Sequence, residues 1–151
     1  MNPSKKSLKY KRIYSQLVKL FQESSNPVSR MASVAALLHH KMDGFFWTGF
    51  YLLNEGKLQA GPYQGPLACL ELERNKGVCW TAVREKKSIV VPDVHKFHGH
   101  IACDPRSRSE IVVPVKTMDG RITGVLDVDS RSLDHFDEED IQGLERIVSL
   151  V

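Results

Sequence analysis

A cysteine within a long polar segment is the most reactive group that the sequence suggests. Cationic neighbours lower the pKa of a thiol and expose a thiolate, which is both a nucleophile and a metal ligand. Most free cysteines are small buried hydrophobes, but so polar a segment favours a chemical role here. The cysteine is Cys103 in HGHIACDPRSRSE, and nearby basic residues are His98, His100, Arg106 and Arg108.

Two further cysteines, Cys69 in GPLACLEL and Cys79 in NKGVCWTA, lie in more apolar surroundings. Taken singly, each is best explained as a buried structural residue. Taken with Cys103, they also allow chemistry in which one thiol becomes a sulfenic acid and another resolves it as a disulfide. Three cysteines without a CxxC pair argue against a secreted disulfide framework.

Acidic residues interrupt two apolar segments that are predicted to form neighbouring strands. Glu110 begins EIVVPV, whereas Asp127 and Asp129 lie in GVLDVD. Because Asp127 and Asp129 are two residues apart, their side chains share one face of a strand. If that face lines a pocket, it offers carboxylates to an ammonium group or to an oxygen that takes up a proton. If it lies at a hairpin edge, the carboxylates are simply solvated.

Trp47 and Tyr51 are an even number of residues apart in the predicted strand FFWTGFYLL, so they also share a face. Core packing explains most such aromatic residues. The functional alternative is an aromatic wall for a small sulfur or onium group.

A zinc site is a further interpretation of the polar segment. Structural zinc sites usually take paired ligands from two places in the chain, whereas all the candidates here lie on one segment, so we predict no metal. The candidate ligands are Asp93, His95, His98, His100 and Cys103.

The hydrophobic periodicity predicts an α+β fold, in which an antiparallel sheet has helices packed mainly on one face. The alternating crossovers of a doubly wound fold are missing. Gly and Pro at 61–66 predict an irregular loop, and the polar composition of 93–110 predicts a long loop. Asp119-Gly120 predicts a hairpin. The predicted helices cover 8–21, 27 to about 43, 81–86 and 137 onward, and the predicted strands cover 45–53, 57–60, 88–92, 110–115 and 121–129.

The composition indicates which broad class of protein this chain belongs to. The chain has 151 residues, 42% of them hydrophobic and 26% charged, which predicts one globular domain over 1–151. The sequence has no apolar run of membrane-spanning length and no signal-peptide core, so we expect a cytoplasmic protein without a membrane partner. The net charge of +3 is scattered apart from a short N-terminal cluster, so no nucleic-acid partner is predicted.

Five segments together resemble the free methionine-(R)-sulfoxide reductase family, whose members are stand-alone GAF domains. The resemblance extends from about Trp47 to Asp140, and the cysteines keep the family's intervals of ten and twenty-four residues. It implies a GAF fold and a cytoplasmic oxidoreductase, active in oxidative stress, that reduces free L-methionine (R)-S-oxide. The segments are WTGFYL, GPYQGPLACL, GVCWTA, IVVPDVHKFHGHIACDPRSRSEIVVP and GVLDVDS.

The resemblance implies a role for each cysteine. Cys103 would attack the sulfoxide sulfur and become a sulfenic acid, and Cys69 would resolve it as a disulfide, with Cys79 as the alternative resolver. Thioredoxin would then reduce the disulfide, and no cofactor is implied. The sequence departs from the family at Trp80, where glycine is usual, so a bulky side chain there can restrict Cys79 or reshape its segment.

The resemblance also implies a substrate site for a free amino acid. Acidic residues would serve the ammonium group and the sulfoxide oxygen, aromatic residues would enclose the methyl group, and backbone N–H groups would bind the carboxylate. The acids are Glu110, Asp127 and Asp129, the aromatics are Trp47 and Tyr51, and the N–H groups belong to Ile101, Ala102 and Cys103.

Two questions remain open from the sequence. The first is whether the chain is instead a GAF sensor module that binds a small molecule without catalysis, because a fold alone does not decide function. The second is the oligomeric state. GAF domains often pair through terminal helices, which makes a homodimer plausible, but packing on the sheet explains the apolar helix stripes equally well.

Overall fold

The computed structural model describes residues 2–100 and 103–151, which contain four α-helices and six strands. A short 3-10 turn at Val94–Lys96 follows the fourth strand. No helix of this described part is long and apolar enough to cross a membrane. The helices are α1 (Lys5–Leu20), α2 (Pro27–Lys41), α3 (Gly77–Glu85) and α4 (Glu138–Val148), and the strands are β1 (Trp47–Asn54), β2 (Lys57–Gln64), β3 (Glu71–Leu72), β4 (Ile89–Val91), β5 (Ser109–Lys116) and β6 (Ile122–Ser130).

The strands form one antiparallel sheet in the order β3-β2-β1-β6-β5-β4. This arrangement confirms the predicted α+β class. Strand β6 lies between β1 and β5, so its two aspartates have neighbours on both sides. Asp129 pairs with Trp47 of β1 and with Glu110 of β5, and Asp127 pairs with Gly49. The sheet thus brings together residues that are distant in the sequence.

The helices divide between the two faces of the sheet. Helices α1, α2 and α4 pack on one face, where Phe50, Ile111 and Leu126 are fully buried. The other face carries Val112 and Val125 under the shorter helix α3. Because successive strand residues point to opposite faces, these two apolar sets alternate along the same strands. The prediction that helices lie mainly on one face is therefore confirmed, with α3 left to cover the opposite face.

Capping residues determine where the helices begin. Asn26 accepts hydrogen bonds from the backbone N–H groups of Val28 and Ser29, and Pro27 is the first residue of α2, as predicted. Asp137 and Asp140 form a capping box at the start of α4. Helix α1 begins at Lys5, earlier than the predicted Leu8, because Ser4 caps it with its hydroxyl group.

Two further predicted boundaries were wrong because they depend on contacts between segments of the chain. Gly and Pro at 61–64 predicted an irregular loop, but strand β2 continues through these residues. It can do so because the pairing with β1 shifts between Gly49 and Tyr51. A bulge of this kind tolerates Pro62, which has no N–H group to donate. Helix α3 begins at Gly77 rather than at residue 81, so Cys79 lies on a helix instead of in a loop.

The contact between α4 and α1 leads to a stability prediction. A Cβ atom added at Gly143 would overlap the ring of Tyr10, which is buried and donates a hydrogen bond to Asp140. Gly→Ala usually stabilises a helix interior, but here overpacking is expected to dominate and to cost about 1 kcal/mol or more. Urea unfolding of Gly143→Ala measures this, with Gln142→Ala on the exposed side as the control. A gain in stability would contradict the packing described here.

Candidate active site

A small pocket lies between the sheet, α3 and the segments that carry Cys69 and Cys103. Its cavity volume is about 50 Å³, which is room for a few water molecules. Strands β1, β5 and β6 form its floor, and α3 forms one side. Most of the site residues predicted from the sequence line it, namely Trp47, Tyr51, Cys79, Cys103, Glu110, Asp127 and Asp129.

A disulfide joins Cys69 and Cys103 at this pocket, with their Cα atoms 5.6 Å apart and a sequence separation of 34. This is the pairing that the family resemblance implied. Cys103 is exposed and Cys69 is half-buried. Two side chains of β1 hold the backbone around Cys69: the indole N–H of Trp47 donates to Pro66 O at 3.0 Å, and the hydroxyl of Tyr51 donates to Cys69 O at 3.1 Å.

Aromatic rings form one wall of the pocket. Trp47 stacks on Tyr51 with 5.6 Å between ring centroids and on Tyr63 of β2 with 5.3 Å between centroids. Gly49 permits this arrangement, because a Cβ atom there would overlap the Tyr63 side chain. Tyr63 was missed in the sequence analysis because the Gly and Pro residues around it predicted a loop.

Carboxyl groups and a thiol meet on the pocket floor. Glu110 and Asp127 are each 6% exposed, and Cys79 is 4% exposed. An oxygen of each carboxyl group and the sulfur of Cys79 lie within 4.8 Å of one another. Asp127 Oδ1 has no hydrogen-bond partner among the described residues. The cluster is thus buried and rich in acceptors, and it can receive a cationic or proton-donating group.

Burial determines the protonation of this cluster. It raises the pKa of Glu110 well above the usual range, and the charges of Asp127 and Asp129 raise it further. Burial also raises the pKa of Asp129, with a smaller effect from the charge of Asp127. The pKa of Asp127 is raised by burial, although hydrogen bonds from Glu110 and Cys79 oppose that rise. The cluster therefore retains protons at a pH where isolated carboxyl groups are ionised.

Cys79 differs from the other two cysteines. It is a free thiol among the described residues and is a buried residue of α3. Burial, followed by the charges of Asp127 and Glu110, raises its pKa well above that of an ordinary thiol, so it is a poor nucleophile. The neighbouring Trp80 is buried in the core on this side of the sheet, and the helix runs through it without interruption.

Residues on either side of Cys103 also line the site, although they were not predicted to do so from the sequence. His100, Asp104 and Ser107 line the pocket, as does Lys76 before α3. Asp104 accepts hydrogen bonds from the guanidinium and the backbone N–H of Arg106, which lower the pKa of Asp104 to about 2. The polar sequence around Cys103 could have indicated that His100 lies at the site, but no sequence pattern indicated Lys76.

In the described part of the chain, two sets of predicted residues do not line the pocket as a group. Ile101 and Ala102, which were expected to bind a carboxylate, lie outside the described residues. The zinc ligands considered for the polar segment do not form a cluster with metal-binding geometry in the described part of the chain. The group with such geometry there is Cys79, Glu110 and Asp127, which the sequence analysis did not consider for a metal.

The comparisons with known proteins agree with this architecture. A family model described as GAF domain matches residues 31–151. The chain therefore belongs to the GAF domain family.

Three similar proteins are informative within that family. The free methionine-R-sulfoxide reductase of Escherichia coli is 43% identical over 122 residues, which cover 81% of this chain and 73% of that protein. The structure of free methionine-R-sulfoxide reductase from Neisseria meningitidis in complex with its substrate is 39% identical, with a TM-score of 0.91 and coverage of 99% and 90%. A putative GAF sensor protein from Burkholderia vietnamiensis is 40% identical, with a TM-score of 0.92 and coverage of 97% and 93%.

Within the GAF domains, the chain belongs to the free methionine-R-sulfoxide reductase family.

Proposed function

We propose that this protein reduces free L-methionine (R)-S-oxide to methionine, with Cys103 as the nucleophile. The observation that carries the proposal is the position of the Cys69–Cys103 disulfide at a pocket whose floor holds a buried acid cluster. Sulfoxide reduction needs a thiol that attacks sulfur, a proton for the oxygen and a second thiol that completes the reduction. Cys103, the acid cluster and Cys69 would supply these three groups.

The first chemical step is attack of the Cys103 thiolate on the substrate. The oxygen is transferred to the Cys103 sulfur, the S–O bond of the substrate breaks, and one proton is taken up. Cys103 becomes a sulfenic acid and the substrate becomes the thioether methionine. Glu110 is a suitable proton source because burial raises the pKa of its carboxyl group well above the usual range, which favours the protonated form.

The second step forms the disulfide. The Cys69 thiol attacks the sulfenic acid, the new S–S bond forms, and the oxygen leaves as water. Cys69 is better placed than Cys79 for this role, because Cys79 is fully enclosed and its raised pKa makes its thiolate scarce. An external dithiol of the thioredoxin class then returns Cys69 and Cys103 to thiols, which makes turnover thioredoxin-dependent in the cytoplasm.

Recognition of the substrate would rest on both charges of a free amino acid. Acids of the floor, Asp127 and Asp129 among them, would face the ammonium group, and the unpartnered Asp127 Oδ1 is available to it. Trp47 and Tyr51 would contact the S-methyl group. The contact of the carboxylate with backbone N–H groups near Cys103 remains a prediction, as does a homodimer.

The decisive experiment compares substrates with the wild-type protein and dithiothreitol as donor. We expect consumption of the R epimer of free methionine sulfoxide and little of the S epimer. N-acetyl methionine sulfoxide is expected to react at least about a hundredfold more slowly, because it has no ammonium group and leaves buried carboxyl groups unpaired. Chromatographic separation of the epimers measures both. If the reduced, folded protein consumed neither epimer, the enzyme proposal would fail and a GAF sensor module would be the better interpretation.

A further inference from the structure

Two leucines beside the disulfide are among the most exposed apolar side chains of the described residues. Leu67 is 87% exposed and Leu70 is 72% exposed, and Cys69 lies between them in the sequence. Leu67 also borders the pocket that Cys103 lines. Exposed apolar side chains scattered singly are ordinary, but two that flank a disulfide are a local concentration.

The backbone holds these leucines outward. Hydrogen bonds anchor the chain at Pro66, at Cys69 and at Leu70, whose carbonyl accepts from Ala60 N at 2.8 Å. With three anchors in five residues, the segment cannot easily turn its leucines toward the core. The exposed apolar surface is thus built into the fold at the position of the redox-active pair.

We propose that Leu67 and Leu70 form the docking surface on which a dithiol reductase protein of the thioredoxin class binds to reduce the Cys69–Cys103 disulfide. This inference rests on the proposed function, which requires an external dithiol. A small thiol reaches the exposed Cys103 without help. A protein must bury surface around the disulfide to bring its own thiolate within bonding distance, and the apolar surface available there is that of the two leucines.

The electron transfer on this surface is a two-step exchange. A thiolate of the reductase attacks the Cys69 sulfur, the Cys69–Cys103 bond breaks, and its electron pair leaves on Cys103 as a thiolate. Cys103 is the better leaving group because it is exposed to water. The second thiol of the reductase then attacks the mixed disulfide. The reductase departs oxidised, and the chain has gained two electrons and two protons.

The test measures reduction of the disulfide itself, without any sulfoxide. The probe is reduced thioredoxin, regenerated by its NADPH-dependent reductase, and the readout is the second-order rate constant for appearance of free thiols. Its ratio to the rate constant with dithiothreitol cancels general changes in disulfide accessibility. We expect Leu70→Ser to lower this ratio about fivefold and Leu67→Ser/Leu70→Ser to lower it tenfold or more, because buried apolar contacts are lost from the complex.

Met118→Ser is the matched control, since Met118 is fully exposed at the β5–β6 hairpin, at the end of β5 opposite Glu110. Its ratio should equal that of the wild type. An unchanged ratio in the leucine double variant would overturn the docking surface. A thioredoxin that keeps only its attacking cysteine should be trapped on Cys69, and trapping on Cys103 alone would overturn the proposed direction of attack. No sulfoxide is present in this assay, so it tests thioredoxin docking even if the protein does not reduce methionine sulfoxide.

Discussion

Replacing Cys103 with serine is expected to lower the rate of methionine sulfoxide reduction by roughly a thousandfold or more. A serine hydroxyl is almost wholly protonated at neutral pH and cannot form a sulfenic acid. Because Cys103 is exposed, the substitution should leave the fold intact. Coupled oxidation of NADPH through thioredoxin measures the rate, and circular dichroism checks the fold.

The other two cysteines provide the controls for this experiment. Cys69→Ser should release about one methionine per protein in a first turnover and then stop with thioredoxin as donor, because its sulfenic acid has no resolving thiol. Dimedone should label Cys103 in that variant. Cys79→Ser should still form the Cys69–Cys103 disulfide after exposure to substrate. If Cys69→Ser turned over normally with thioredoxin and Cys79→Ser formed no disulfide, Cys79 would be the resolving residue.

Glu110→Gln is expected to lower kcat about 100-fold to 10,000-fold, the usual range for loss of a proton donor. Glutamine keeps the size of the side chain but cannot transfer a proton. In the wild type, activity should fall as pH rises through the raised pKa of the acid cluster, because the donor is then ionised. That alkaline decline should be weakened in the variant. Steady-state kinetics across pH measures both effects.

The same substitution should not destabilise the protein. The folded-state pKa of Glu110 is raised above its unfolded value, so its contribution to stability is fully present below the unfolded pKa and is lost as pH rises through the folded pKa. A neutral glutamine avoids that loss, so unfolding by urea at neutral pH should require at least as much denaturant as for the wild type. Glu71→Gln, at an exposed acid of β3, should change neither property. Full activity of Glu110→Gln would assign the proton donor to another acid.

Much of the fold could be predicted from periodicity and capping signals. Asn26-Pro27 and Asp137 marked helix starts because capping depends on a few adjacent residues. The extension of β2 past Gly61 could not be predicted, because it depends on a shift in pairing with β1, and pairing is a property of two segments. The early start of α3 is similar, since burial of Gly77 and Val78 against the sheet outweighs weak local helix signals.

Some features of the candidate site could be predicted from the sequence and others could not. The spacing of Asp127 and Asp129 placed both on one face, but periodicity could not say which face, or that Glu110 lies opposite Asp129. The pairing of Cys69 with Cys103 came from the family resemblance and not from any local pattern. The contact of Tyr63 with Trp47 joins two strands, so nothing in the residues around Tyr63 indicated it.

The disulfide at the pocket has a kinetic consequence for the proposed cycle. Cys103 supplies one of its two sulfurs, so the oxidised protein has no free nucleophile with which to reduce a second sulfoxide. Substrate and electron donor would then act on alternate forms of the protein, as in a ping-pong cycle. When methionine sulfoxide is abundant, the throughput of such a cycle would follow the supply of reducing equivalents.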